Sequence, residues 1–177
     1  PRPSVSIALP LSLGVESGCE LLDFDLEGEK IPNEEILSRL NESLVEGVKV
    51  LAVYDDMTKL KHLALLDCVV TLEYDGGVPE TAAEQITSLF SREELIVEKK
   101  GKNGPTEQNI IPMIRRISAT PLDSNTLILR ALICCQNPSL NPGQLSAAIE
   151  KELPQYRPDF VKIRRLEVFD TNEMIFR

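Results

Sequence analysis

The sharpest juxtaposition of reactive side chains in this chain is Glu16-Ser17, a carboxylate beside a hydroxyl just after Gly14. Glu16 can accept hydrogen bonds from a ligand, and Ser17 can donate or accept them. The competing reading is a tight connection in which Glu16 bonds nearby backbone N–H groups. Asp23, Asp25 and Glu27 alternate, which puts three carboxylates on one face about 7 Å apart if this stretch is a strand. No histidine joins them, and a half-wet antiparallel strand shows the same alternation, so a solvated face is expected rather than a metal site. His62, the single histidine, lies between Lys61 and Leu63 with no nucleophile at a recognisable spacing, which points to a surface or boundary position. Cys19, Cys68, Cys134 and Cys135 have no metal-ligand spacing, and adjacent strand residues face opposite ways, so reduced thiols are expected. No phosphate-binding glycine loop, dinucleotide fingerprint, zincin helix or nucleophile elbow occurs, which leaves self-contained hydrolase, nucleotidyl-transfer or dinucleotide chemistry without support.

The basic residues gather late in the chain. Lys99, Lys100 and Lys102 flank a glycine-rich turn, Arg115 and Arg116 lie on a strand, and Lys162, Arg164 and Arg165 open the last strand. Alternation places Lys162 and Arg164 on one face and Arg165 on the other. If sheet pairing brings these strands together, the result is a modest basic patch fit for RNA phosphates or an acidic partner; plain solubility explains the same residues. The charge is unevenly spread: residues 1–90 carry a net of −11 and residues 91–177 a net of +2, within a total of −9. That total argues against indiscriminate coating of nucleic acid. With 42% apolar residues, no stretch near the roughly 20 residues needed to cross a bilayer and no signal-peptide pattern, a cytoplasmic globular protein is expected.

The elements that must position these residues follow a repeated order. Residues 5–9 alternate as a strand, and Pro10 then removes an N–H from the ladder. Residues 20–27 form a second strand, with Leu22, Phe24 and Leu26 on one face. Asn33 caps a helix whose stripe is Ile36, Leu37, Leu40 and Leu44; Gly47 ends it, and residues 48–54 read as a strand. A short helix is expected over 58–66, a strand over 69–74, a helix over 79–90 and a strand over 95–99, followed by a loop over 101–105. The order strand, strand, helix, strand then returns over 109–119, 126–135, a helix capped by Asn141 with Pro142 at its first position, and 160–169. Pro112 inside the first of these marks an edge or a bulge.

The block R-P-x-x-S-x-A-L-P-L-x-x-G-V-E-S from Arg2 to Ser17, followed by E-L-L-D-F-D-L, resembles the uncharacterised domain of radical-SAM-linked proteins. In that family the domain stands alone, beside a radical SAM enzyme, or fused to its C-terminal end. The resemblance implies that Arg2, Gly14, Glu16 and Ser17 belong to the family's most recognisable motif, and that a strand and helix precede it in longer members. It further implies that the iron–sulfur cluster and S-adenosylmethionine reside in a parent or partner domain. The cluster-binding C-x-x-x-C-x-x-C is absent from this chain.

These readings combine into an α+β fold of tandem ferredoxin-like halves, of β-α-β-β-α-β type with antiparallel sheets. Residues 1–66 form a first half truncated at its N-terminus, β-β-α-β plus a short helix. Residues 67–177 form a second half with an extra strand. A chain that opens without Met inside such a unit is expected to leave an orphaned sheet edge that pairs with another copy or a neighbouring domain. The expected role is a non-catalytic accessory or substrate-recognition domain for a radical SAM enzyme, with an RNA-binding module as the alternative.

Overall fold

A computed structural model describes residues 5–55, 58–101 and 104–177. The order begins with β1 (Val5–Ile7), β2 (Val15–Ser17), β3 (Leu22–Phe24) and α1 (Asn33–Ser43). It continues with β4 (Leu65–Glu73), α2 (Ala82–Phe90), β5 (Ile96–Gly101), β6 (Gly104–Asn109) and β7 (Ile114–Pro121). It closes with β8 (Thr126–Cys134), α3 (Gly143–Glu152) and β9 (Phe160–Phe169). The main sheet has five strands in the order β2-β9-β4-β8-β7; β1 pairs with β3 and β5 with β6 in separate two-stranded ribbons.

Alternation decides the faces of the main sheet. Leu66, Cys68, Val70 and Leu72 of β4 and Leu127, Leu129, Ala131 and Ile133 of β8 all point one way and are buried. They meet Ala82, Ile86, Leu89 and Phe90 of α2 and Leu145, Ala148 and Ile149 of α3. The amphipathic spacing of those two helices gives each one apolar stripe, and the stripes close over a single face of the sheet. Burying each such large side chain contributes about 1.5–3 kcal/mol before the cost of ordering the chain. Asn141 fixes the start of α3, its Oδ1 accepting from the Gly143 N–H at 2.9 Å while Gln144 Oε1 accepts from the Asn141 N–H at 3.0 Å. This is the reciprocal arrangement of a capping box.

The region after residue 60 departs from the expectation in its details. The short helix over 58–66 contracts to one 3₁₀ turn, Leu60–His62, because β4 already begins at Leu65. Of the loop expected over 101–105, Gly101, Gly104 and Pro105 lie in the paired strands of the β5–β6 ribbon, and Pro112 sits in a 3₁₀ turn just ahead of β7. β7 is an edge strand with a register slip between Ile114 and Arg116, the two features the proline signalled.

The first part differs more. The expected strand over 20–27 shortens to β3, and Leu22 and Leu26 on its supposed inner face are about half exposed. Pro32, not Asn33, precedes the first turn of α1, its carbonyl accepting from the Glu35 and Ile36 N–H groups. Residues 48–54 form no strand. Val50 instead bonds the Asn41 side chain, its N–H to Oδ1 at 2.8 Å and its carbonyl to Nδ2 at 3.1 Å. A strand needs a neighbour for its ladder; with β2 committed to β9, none is at hand.

Candidate functional site

The motif loop is only partly a loop. Gly14, at φ +79°, allows the turn in which the Val15 N–H reaches the Ser12 carbonyl. Val15, Glu16 and Ser17 then run parallel to β9, opposite Ile163, Arg164 and Arg165. Glu16 therefore stands on the sheet face away from the helices, while Ser17 turns to the other side. There Ser17 Oγ accepts from the Cys19 N–H at 3.3 Å and lies 3.7 Å from its Sγ.

Arg165 holds this segment in place. Its guanidinium is buried, with Nη1 donating to the Leu9 carbonyl at 2.7 Å and to Glu20 Oε1 at 3.1 Å, and Nη2 donating to the Pro10 carbonyl at 3.1 Å. Its backbone carbonyl accepts from the Gly18 N–H. Charge-assisted bonds in a buried setting are the stronger kind. Expected from sequence to join an anion-binding patch, Arg165 instead spends its donors on residues 9–20, because its strand face is the covered one.

The other sequence candidates separate. Lys99 lies on the β5–β6 ribbon, its Nζ reaching the Ser139 carbonyl at 3.5 Å and Oγ at 3.4 Å. That ribbon sits beside α3, with Lys151 Nζ donating to the Ile96 carbonyl at 3.0 Å. Lys100 pairs with Pro105 in the same ribbon. Lys99 thus lies on the helical side, apart from Lys162 and Arg164 of the same expected patch. Arg115 is exposed at the register slip of β7. Arg2 and Lys102 lie outside the described residues.

Four cations do share the face that no helix covers among the described residues. Register runs from Glu16 to Arg164, Val69, Arg130 and Ser118 across all five strands. Lys162 stands in the next row beside Thr71, and Arg116 beside Leu132 in the row on the other side. Two shallow grooves lie here, lined entirely by strand residues. One, about 530 Å³, is lined by Asp67, Arg116, Ser118, Arg130, Leu132 and Phe169 among others. The second, about 340 Å³, is lined by Glu16, Val69, Thr71, Lys162, Arg164 and Leu166 among others. Leu166 is the bulged residue where β9 slips against β4 between Asp67 and Cys68.

Carboxylates orient three of the cations. Asp67 takes Arg130 in two bonds, Nη2 at 2.8 Å and Nε at 3.4 Å, and this raises the arginine's already high pKa. Glu173 pairs with Arg116 and Glu73 with Lys162. Lys162 also lies 5.7 Å from the centroid of Phe160, an aromatic residue 56% exposed on the same face. Arg130, Asp67, Phe160 and Phe169 were not picked out from sequence. The signal for Arg130 was present: a lone cation in the apolar run Leu127–Cys135 marks the strand position that faces out.

The thiols are free, as expected. Burial pushes Cys68 and Cys135 up to about 12, with smaller contributions from neighbouring charges, and it raises Cys19 as well. His62 is exposed. No group of three or more His, Cys, Asp or Glu converges into a metal site among the described residues. Likewise, no helix among them is long and apolar enough to cross a membrane.

The profile of a family described as an uncharacterized protein conserved in bacteria (DUF2344) matches residues 1–142. The chain belongs to this family. The matched span carries the motif, Glu16, Asp67, Arg116 and Arg130, and ends before α3 and β9. No curated protein and no solved structure matches the chain.

Proposed function

We propose that this chain is a non-catalytic accessory domain for a radical SAM enzyme, fused to it or separate, that recognises the substrate or completes the assembly. The supporting observation is the placement of the motif: a buried arginine fastens residues 9–20, and β2 delivers Glu16 to the rim of an uncovered, grooved sheet face. Recognition needs a presented surface with side chains held in position, and Arg165 supplies the holding. In this reading the iron–sulfur cluster and S-adenosylmethionine belong to the enzyme.

The test is association of the purified chain with the radical SAM protein of the same organism, followed by sedimentation and calorimetry. A stoichiometric complex weakened by Glu16→Arg is expected, with no iron or S-adenosylmethionine bound by the chain alone. Absence of a complex, or a full cluster reconstituted in this chain by itself, overturns the reading. Among macromolecular substrates the same face favours RNA, through Arg116, Lys162 and Arg164 of the expected patch together with Arg130.

A further inference from the structure

We propose that the uncovered face of the five-stranded sheet binds single-stranded RNA, with phosphates on Arg164, Arg130 and Arg116 and a base stacked on Phe160. This names the substrate class of the recognition role above and rests on that role for its biological meaning.

The first argument is charge complementarity. Arg164 and Arg130 occupy one cross-strand row with β4 between them, about 10 Å apart at two strand spacings, and Arg116 follows one row on. Arg164 has no bonding partner among the described residues. Arg130 leaves Nη1 free after Asp67 has taken Nε and Nη2, so its carboxylate partner aims the guanidinium without using it up. The pairs Arg116–Glu173 and Lys162–Glu73 are exposed, and exposed pairs hold little free energy against a competing phosphate. Glu16 sits at the rim and limits the site on the β2 side.

The second argument is independent of charge. Phe160 is exposed on the same face as Lys162 and Arg164, at one end of β9, and Phe169 lines the larger groove at the other end. An exposed ring beside cations, as Phe160 is, is what unpaired bases stack on, whereas a duplex presents its bases already stacked. The Thr71 and Ser118 hydroxyls, one in each groove, are available to a ribose 2′-OH. An acidic peptide would use the cations and leave the rings idle.

The experiment is fluorescence anisotropy of the intact chain with a labelled mixed-sequence RNA of about ten nucleotides, a DNA of the same sequence and an acidic peptide of equal charge. With the three arginines engaged, RNA affinity should fall about 20-fold between about 50 mM and about 200 mM salt. Arg130→Glu with Arg164→Glu should weaken it more than about tenfold, and Phe160→Ala about tenfold. Lys99→Glu, on the helical side, should leave it unchanged. The proposal is overturned if RNA fails to bind at the lower salt, if Lys99→Glu weakens binding as much as the face variants, or if the peptide binds as tightly as RNA. If the enzyme complex forms and RNA does not bind, only the substrate class is wrong; if RNA binds and the complex does not form, the accessory role falls instead.

Discussion

Residues 5–55 and residues 58–177 are about equally rich in apolar side chains, yet only the later region buries them in a core. Among the described residues, every buried core residue lies at or after Leu63. Eleven of the fifteen large apolar side chains that stand exposed among the described residues lie before residue 56, so the earlier region has the apolar pattern without the cover. Helix α1 shows why. Its stripe of Ile36, Leu37 and Leu40 is as regular as that of α2, but it remains half-buried, whereas α2 closes on a sheet. Amphipathic spacing makes a face; only an opposing layer turns that face into stability. The exceptions inside the earlier region are Ala8, Leu9, Cys19 and Leu21, which pack against the later core where Arg165 and β9 hold the segment.

The contrast can be broken or sharpened by experiment. The largest effect is expected from Leu129→Ala, a fully buried position, which should cost about 2–5 kcal/mol in urea denaturation. Leu40→Ala on α1 should cost under about 1 kcal/mol, and equal losses would show that α1 belongs to the same cooperative unit. Next, Arg165→Met should cost about 1–3 kcal/mol by leaving the Leu9 and Pro10 carbonyls without their donors. Hydrogen exchange should then quicken at Val15 and Gly18 while Val70 stays protected; simultaneous opening of Val70 would contradict a locally fastened segment.

A smaller effect concerns the thiols. At mildly alkaline pH, Cys68 and Cys135, pushed up to about 12 by burial, should resist alkylation until the core opens. Cys19, half-buried under the motif segment, should react first, and more readily still in Arg165→Met. Mass spectrometry of the alkylated peptides orders the rates; early labelling of Cys68 would mean the core is looser than its burial implies.

The smallest effect is the pH response of the C-terminal end. The Arg177 side chain, bonded to both Glu167 carboxylate oxygens, holds Glu167 below the usual carboxylate range. A depressed carboxyl stabilises the fold above its unfolded pKa of about 4.3 and loses that contribution as pH falls through the lower folded value. Solvent screening keeps it under about 1 kcal/mol. Glu167→Gln should therefore lower the melting temperature slightly at neutral pH and not below about pH 3, a difference that calorimetry can resolve.

Much of the later region was legible before any coordinates. β9 spans the whole of the expected 160–169, and the helix begun by Asn141-Pro142 starts where their capping chemistry placed it, because turn residues, caps and alternation act locally. The candidate site was legible only in fragments. Arg116, Lys162 and Arg164 were picked out as parts of one basic patch and do share a face, on which Glu16 also stands, while Lys99 and Arg165 were grouped with those cations and lie elsewhere. Arg165 misled because a cation within a strand gives no sign of which face a helix will later cover.

By itself, the sequence determined the periodicities, the start of α3, the turn at Gly14 and the opposite orientation of Arg164 and Arg165. These depend on neighbours a few residues apart, whose geometry the backbone dictates. Tertiary structure alone decided that β2 would join β9 rather than build a first unit, and that residues 48–54 would find a side chain instead of a strand. It also decided that Glu16 and Arg164, nearly 150 residues apart, would stand side by side. Strand pairing is a choice among distant partners, settled by which arrangement buries the most apolar surface while satisfying every ladder group.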